Sequence, residues 1–213
     1  MRLLDLYCKA GGASKGYSDA GFDVTGIDIK KQKRYPFTFI QADVLDVIQD
    51  IEYLRTFDVI AASPPCQTHS ITKHLRNAQG KKTDKIDLIP QTREQLIKTN
   101  KPYVIENVPL APLVDPVQFC GSAYGLAVRR HRLFESNMVL SASLCDHKSQ
   151  GKPVGIYGSM RDEIPNGGHT AKTIEQAREA MGIDWMIWGE LVEAIPPIYT
   201  YTIGKQILDQ IKN

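Results

Sequence analysis

Cysteine is scarce in this chain of 213 residues, and no two of its four cysteines form a C-x-x-C pair. A disulfide framework is therefore not expected in a chain of this size that shows no secretion signal. Zinc is not predicted either. Cys145 and His147 could supply two ligands, but no second closely spaced pair completes a tetrahedral site.

Long apolar runs are also missing, since no stretch approaches the roughly 18–20 residues that a membrane span requires. The N-terminus reads MRLLDLYCKAGG and is interrupted too soon for a secretory signal. We therefore expect a cytoplasmic protein with no membrane partner. A formal charge of +2 gives no global argument for binding nucleic acid, so only local clusters of charge could indicate it.

The first half of the chain alternates short apolar runs with polar, helix-compatible stretches. The runs are rich in β-branched residues and nearly continuous in apolarity, which is typical of strands covered on both faces. Strands are predicted at 2–7, 23–29, 37–42, 57–63 and 102–108, and helices at 15–20, 43–54 and 87–99. This order predicts an open, mainly parallel α/β sheet with helices on both faces.

The pattern changes after Arg132. A further strand, a loop-rich stretch and two helices are predicted there, at 131–137, 141–168, 173–181 and 201–212. The last helix places Ile203, Ile207 and Ile211 on one face. The simplest interpretation is a single domain over 1–213 that carries a short irregular insert at 135–169.

The loop after the first predicted strand is rich in glycine and reads CKAGGASKG. Ligands of open parallel sheets bind beyond the carboxyl ends of the strands, and paired glycines let the backbone approach a ligand closely. Two phosphate-binding motifs are excluded, because Gly16 is followed by Tyr17 rather than lysine and G-x-G-x-x-G does not occur. A role in the turn alone is the alternative.

Acidic residues follow the second and third predicted strands. Asp28 comes sixteen residues after Gly12, at a place where an acidic side chain commonly accepts both hydroxyls of a ribose. Asp43 could receive an adenine amino group. The glycine loop and the two acids together favour a nucleoside cofactor without a pyrophosphate, S-adenosylmethionine rather than NAD, although each acid alone could be a helix cap.

The fourth predicted strand leads into Ser63-Pro64-Pro65-Cys66-Gln67. Two prolines stiffen this turn, so we expect Cys66 to project over the cofactor edge of the sheet. A lone cysteine is more often a small buried residue, but this position favours a nucleophile. The fifth strand ends at Glu106, whose carboxyl group could bind and protonate a base ring instead of capping a helix.

A basic tetrad, Arg129-Arg130-His131-Arg132, opens the strand predicted at 131–137. Such a run is usually a solvated surface, but apolar neighbours on both sides favour a partly buried functional site here. Alternate residues of a strand point the same way, so Arg130 and Arg132 are predicted to share one face.

The motifs DLYCKAGG, GID, SPPCQ, ENV, RRHR and AIPP, in this order, resemble the DNA cytosine-5 methyltransferase family over nearly the whole chain. The resemblance implies a seven-stranded Rossmann-like methyltransferase sheet, S-adenosylmethionine as cofactor and DNA as substrate. The cofactor contacts that it implies come from Tyr7, Ala10, Gly11, Gly12, Asp28, Ile29, Asp43, Val44 and Pro64.

The family mechanism, carried onto this chain, makes Cys66 add to carbon 6 of cytosine and so activates carbon 5 toward the methyl group. Glu106 would protonate ring nitrogen 3, Arg130 would hold the base, and Arg132 would support Cys66 or the flanking backbone. A cytosine in a duplex must be flipped out of the stack for this chemistry. Contacts to the nucleic acid are expected from the polar residues that follow the nucleophile: Gln67, Lys73, Arg76, Lys81, Lys82 and Lys85.

The chain departs from the family pattern at Lys9, which replaces a glycine, and at Val128, which replaces a glutamine. The insert at 135–169 has 35 residues, too few for the family's usual recognition domain. Recognition of a DNA target sequence should therefore be reduced, and a partner protein could supply the missing specificity. One alternative is an enzyme that acts on RNA or on a free nucleotide. A catalytically silent binding module is another, and the intact catalytic motifs argue against it.

Overall fold

The computed structural model describes residues 1–65, 86–158 and 169–212. Within these ranges the chain forms one seven-stranded sheet whose strand order is β3-β2-β1-β4-β5-β7-β6. The strands are β1 Arg2–Leu6, β2 Asp23–Asp28, β3 Thr38–Gln41, β4 Val59–Ala62, β5 Tyr103–Asn107, β6 Val117–Phe119 and β7 Arg132–Ser136. β1 to β5 pair in parallel, whereas β7 pairs antiparallel with both β5 and β6. The predicted mainly parallel sheet is confirmed.

Helices occupy the connections between the strands. They are α1 Gly12–Ala20, α2 Val44–Val47, α3 Ile51–Arg55, α4 Ile89–Thr99, α5 His147–Gln150, α6 Ile174–Met181, α7 Trp188–Glu193 and α8 Pro197–Lys212. None of the helices in the described ranges is both long and apolar enough to cross a membrane.

Both faces of the sheet are covered, because alternate residues of each strand enter different hydrophobic clusters. Leu3 of β1 packs in a cluster with side chains of α1 and α8, such as Tyr17 and Ile203. Leu4 packs in the opposite cluster with side chains such as Leu96 of α4. This two-sided burial explains why the strands read as nearly continuous apolar runs.

The contact between α1 and α8 requires a residue without a side chain at Gly16. A Cβ atom at this position would lie 2.0 Å from the carbonyl oxygen of Pro197 and 2.1 Å from Oγ1 of Thr200. The same Thr200 hydroxyl donates a hydrogen bond to the carbonyl oxygen of Ala13 at 2.8 Å. The two helices therefore touch backbone to backbone, and α8 holds the helix that follows the glycine loop.

Two expectations from the sequence need correction in the helices. The helix predicted at 43–54 is two helices, because Asp50 caps the second one by accepting a hydrogen bond from Tyr53 N at 2.9 Å. The last helix begins at Pro197, four residues before the predicted start at 201. Within that helix Ile203 and Ile207 are buried, whereas Ile211, close to its end, is 36% exposed.

The insert is not wholly irregular in the part that the structure describes. It contains α5, and it begins a small second sheet in which β8 Val154–Gly155 pairs in parallel with β9 His169–Thr170. The main elements that the sequence did not predict are β6, a 3₁₀ helix at Gly121–Tyr124 and α7.

Asp5, in the middle of β1, is a fully buried carboxyl group. One oxygen accepts a hydrogen bond from the Ser14 hydroxyl, and the other has no partner among the described residues. Burial raises the pKa of Asp5 to about 7, and the nearby carboxylates of Glu106 and Asp28 add to this rise. Because the folded-state pKa lies above the unfolded value, Asp5 contributes stability at low pH that is lost as pH rises to and through 7.

Asp5→Asn should therefore flatten the pH dependence of folding. Between pH 5 and pH 8 the unfolding free energy of the wild type should fall by on the order of 2 kcal/mol more than that of the variant. Urea denaturation at pH 5, 6, 7 and 8 measures both proteins. Parallel curves across this range would contradict the assignment of a raised pKa to Asp5.

Candidate active site

The carboxyl ends of four parallel strands meet at one edge of the sheet. Leu6, the last residue of β1, lies between Ile27 of β2 and Ala62 of β4, and Ala62 pairs in turn with Ile105 of β5. The glycine loop, Asp28, the Ser63-Pro64-Pro65 turn and Glu106 all follow these positions directly. The structure thus brings the predicted cofactor and catalytic motifs to a single edge.

The glycine loop has an unusual backbone. Tyr7, Lys9 and Gly11 have φ angles of 61°, 50° and 87°, all in the left-handed region. Lys9 stands at the position where the family has a glycine, and its backbone still adopts the left-handed conformation that a glycine favours. The loop runs into α1, whose first turn has no side-chain cap, so backbone N–H groups are available at this helix start.

Asp28 lies at the edge with 5% of its surface exposed. Its two oxygens each accept one backbone hydrogen bond, from Lys9 N at 3.1 Å and from Lys30 N at 2.9 Å. An ionised carboxylate offers about four acceptor positions, so it can also accept hydrogen bonds from two hydroxyl groups. Ile29, the next residue, is 58% exposed and presents an apolar surface beside it.

Several other predicted cofactor residues also make contacts within the fold, and their cofactor roles stay predictions. Asp43 caps α2 by accepting a hydrogen bond from Leu45 N at 2.9 Å, which is the alternative role that the sequence allowed. Val44 and Ala10 are 2% exposed, and the Ala10 carbonyl accepts a hydrogen bond from Trp185 Nε1 at 2.9 Å. Tyr7 packs in the core.

Glu106 ends β5 as a buried carboxyl group with 8% of its surface exposed. Burial raises its pKa, while the positive charge of Arg132 and a hydrogen bond with Ser63 oppose the rise. The Arg132 Nε atom lies 3.0 Å from a Glu106 carboxylate oxygen. A carboxyl group in this environment holds a proton more readily than an exposed glutamate and faces a fixed positive charge.

Asn107 links β5 to the turn that leads to Cys66. Its side-chain amide donates a hydrogen bond to the carbonyl oxygen of Pro64 at 2.9 Å, and its amide oxygen accepts one from Val108 N at 2.9 Å. The side chain is almost fully buried. Sequence reasoning placed Asn107 in the ENV motif but assigned it no role, because only the pairing of β4 with β5 brings the two segments together.

Arg130 lies outside the strand, because β7 begins at Arg132 and Arg130 has a φ angle of 38°. The prediction that the two arginines share one face of a strand is therefore wrong. The Arg130 guanidinium is 2% exposed and donates to four backbone carbonyl groups, those of Ala194, Ile156, Leu191 and Val192. Burial lowers the pKa of Arg130 to about 10, so the group stays charged at neutral pH.

The predicted nucleophile and the polar residues after it that were predicted to contact nucleic acid lie outside the described residues. This set comprises Cys66, Gln67, Lys73, Arg76, Lys81, Lys82 and Lys85. Their roles stay predictions. The described part of the turn ends at Pro65.

Arg130→Lys should destabilise the fold, because a lysine keeps the charge but cannot reproduce the planar fork that reaches four carbonyl groups. We expect the unfolding free energy to fall by about 2–3 kcal/mol. The matched control is Arg34→Lys, since Arg34 forms an ion pair with Glu190 while its own side chain is 39% exposed. That change should cost far less, because solvent screens an exposed ion pair. Equal losses for the two variants in urea denaturation would contradict the structural role of Arg130.

The fold of this chain is similar to that of known methyltransferases. Three solved structures have similar folds over at least 99% of both chains. A prophage-encoded E. coli protein classed as a DNA modification methyltransferase is 14% identical with a TM-score of 0.68. The Entamoeba histolytica methyltransferase EhMeth is 13% identical with a TM-score of 0.64, and S. pombe Dnmt2 is 11% identical with a TM-score of 0.60. These similarities confirm the methyltransferase fold.

A search of curated protein sequences finds no match. The family model of the C-5 cytosine-specific DNA methylases matches residues 1–111, a range that contains the glycine loop, the SPPC turn and the ENV motif. This match covers more than half of the chain. The protein therefore belongs to the C-5 cytosine-specific DNA methylase family.

Proposed function

We propose that this protein transfers a methyl group from S-adenosylmethionine to carbon 5 of cytosine in DNA, through a covalent adduct with Cys66. The observation that carries the proposal is the position of Glu106. Its buried carboxyl group lies at the strand end next to the turn that leads to Cys66, and Asn107 ties that turn to the same strand through Pro64. The nucleophile loop and the proton donor are thus held on adjacent strands.

The proposed chemistry needs a nucleophile and an acid, because carbon 5 of cytosine is itself a poor nucleophile. The Cys66 thiolate adds to carbon 6, and a proton from Glu106 to ring nitrogen 3 offsets the charge that develops in the ring. Burial raises the pKa of Glu106, which favours its role as a proton donor near neutral pH. Carbon 5, activated in this way, would then take the methyl group that S-adenosylmethionine supplies when it is bound. A base removes the carbon 5 proton, the thiolate leaves carbon 6, and the proton on ring nitrogen 3 returns to Glu106.

The two arginines take different roles in this proposal. Arg132 contacts Glu106 at 3.0 Å and offsets negative charge beside the base. Arg130 holds the carbonyl groups of residues 191, 192 and 194 in place under the edge, so we assign it to positioning and not to contact with the base. This revises the role that the family resemblance implied for Arg130.

S-adenosylmethionine supplies an electrophilic methyl group when it is bound. The residues present fit this group, because Asp28 keeps acceptor capacity for ribose hydroxyls and Ile29 exposes an apolar side chain beside it. Gly12 begins a helix at the same edge, and its N-cap residue, Gly11, provides no side-chain cap. We propose that these residues and Pro64 hold the cofactor.

DNA is the substrate that family membership favours. Recognition of a specific base sequence in that DNA should be limited. Each base-edge contact discriminates by about 1–3 kcal/mol, so a short insert with few side chains in reach of a groove can specify only a short site. We propose a short target, or a partner protein that adds specificity. Tritiated-methyl transfer to duplex DNA, single-stranded DNA, RNA and dCTP tests the substrate. Labelling of RNA or dCTP with no labelling of either DNA would overturn the DNA assignment.

Cys66→Ser should abolish methyl transfer to DNA, since a serine hydroxyl is a far weaker nucleophile than a thiolate at neutral pH. Cofactor binding should be nearly unchanged, because the substitution leaves Pro64 in place and the other proposed cofactor residues follow β1 and β2. Wild-type protein should also form a stable adduct with DNA that contains 5-fluorocytosine, whose carbon 5 has no proton to lose. Denaturing gel electrophoresis detects this adduct, and its formation by the serine variant would contradict the assignment.

Asp28→Asn should weaken S-adenosylmethionine binding by about 1.5–3 kcal/mol, the scale of hydrogen bonds to a charged group. The amide keeps the size of the side chain but has fewer acceptor positions and no charge. Asp23→Asn is the matched control, because Asp23 is exposed at the opposite end of the same strand. Titration calorimetry measures both variants, and equal affinities for the two would remove the ribose role from Asp28.

A further inference from the structure

Four potential metal ligands from separate parts of the chain meet beside β6 and β7. Cys120 follows β6, His131 precedes β7, and Cys145 and His147 lie in the insert. The sulfur atoms and imidazole nitrogens of these residues all lie within 4.8 Å of one another. We propose that these four residues bind one structural Zn²⁺ ion, a site that is separate from the proposed methyl-transfer chemistry.

The distances suit a tetrahedral site. Cys120 Sγ lies 3.3 Å from His147 Nε2, and Cys145 Sγ lies 3.4 Å from His131 Nε2. Zinc bonds of about 2.3 Å to sulfur and about 2.0–2.1 Å to nitrogen place a sulfur and a nitrogen ligand about 3.5 Å apart in a tetrahedron. Small side-chain movements therefore admit an ion at the centre.

The ligand set also matches zinc chemically. Two thiolates and two neutral imidazoles are a common set for structural zinc, and two thiolates balance the charge of the ion. Because four protein groups fill the tetrahedron, the site leaves no position for a reacting water molecule. The proposed ion therefore has a structural role.

Neighbouring polar groups are placed to support the thiolates. The Ser122 hydroxyl lies 3.1 Å from Cys120 Sγ, and its oxygen accepts a hydrogen bond from Asp146 N at 3.0 Å. The side-chain amide of Gln118 donates toward Cys145 Sγ at 4.0 Å. Such outer contacts orient metal ligands and tune their basicity.

The segment that carries the two insert ligands has little apolar packing of its own. Met138, Leu140 and Ala142 pack against the core, but no residue of α5 is buried and Leu144 is 91% exposed. A metal ion that joins Cys145 and His147 to Cys120 and His131 would add a cross-link at this segment. Since His131 stands between Arg130 and Arg132, the same ion would fix the insert beside the arginine motif.

Sequence spacing argued against zinc because only Cys145 and His147 are close in the chain. Cys120 and His131 are eleven positions apart, a separation that carries no zinc signature. The antiparallel pairing of β6 with β7 brings them together, since Phe119 lies opposite Arg132. Cys120 follows Phe119 and His131 precedes Arg132, so the two ligands are next to this pair.

Zinc content of the full-length protein tests the proposal without reference to methyl transfer. Wild-type protein purified without chelators, or loaded with Zn²⁺ and desalted, should contain one zinc per chain by plasma mass spectrometry. Replacement by Co²⁺ should give the visible absorption bands of a tetrahedral site with thiolate ligands. Cys145→Ser and His147→Asn remove exposed or half-buried ligands and should weaken zinc binding at least about tenfold in competition with a chromophoric chelator.

His169→Asn is the matched control, because His169 lies outside the cluster and contacts Gln176. It should bind zinc as the wild type does. A wild type that takes up no zinc after loading would overturn the proposal, as would equal zinc affinity in the two ligand variants and the control. A disulfide between Cys120 and Cys145 in peptide maps of freshly purified protein would overturn it too.

Discussion

Parallel pairing of β2, β1, β4 and β5 is the constraint on which the site depends. Parallel strands end at the same edge, so chain segments that are far apart in sequence deliver their next residues to one place. β7 contributes to the same edge with its N-terminal end. Because it runs antiparallel to β5, its first residue, Arg132, lies beside the last residues of β5 and can reach Glu106.

The charged groups at this edge form one buried arrangement. Two opposing effects act on the pKa of Glu106: burial raises it, and the positive charge of Arg132 lowers it. Arg130 donates its hydrogen bonds to the carbonyl groups that precede α8, so it acts on Glu106 only through its charge, which lowers the pKa of that carboxyl group. The Ala194 carbonyl, in the AIPP motif, accepts a hydrogen bond from Arg130 of the RRHR motif, so the two motifs are in direct contact.

Much of this arrangement could be predicted from the amino-acid sequence. Period and composition identified β1 to β5 and β7, and motif order identified the family, because these signals are local. β6 has only three residues, too few to show a period. The contacts of Arg130 and the meeting of Cys120 with His147 depend on long-range packing, which no local pattern encodes. Asp43 shows a third case, because an aspartate after a strand suits both a helix cap and a cofactor contact, and the structure shows the cap while the cofactor contact stays a prediction.

The contact at Gly16 has a consequence for how the chain is made. One face of α1 is completed only by α8, whose backbone touches that glycine directly. During synthesis from the N-terminus, the strand and helix that carry the glycine loop emerge about 180 residues before the segment that covers them. The nascent chain must therefore keep an apolar surface of α1 uncovered until residues 197–208 leave the ribosome, and the contact at Gly16 can form only after that point.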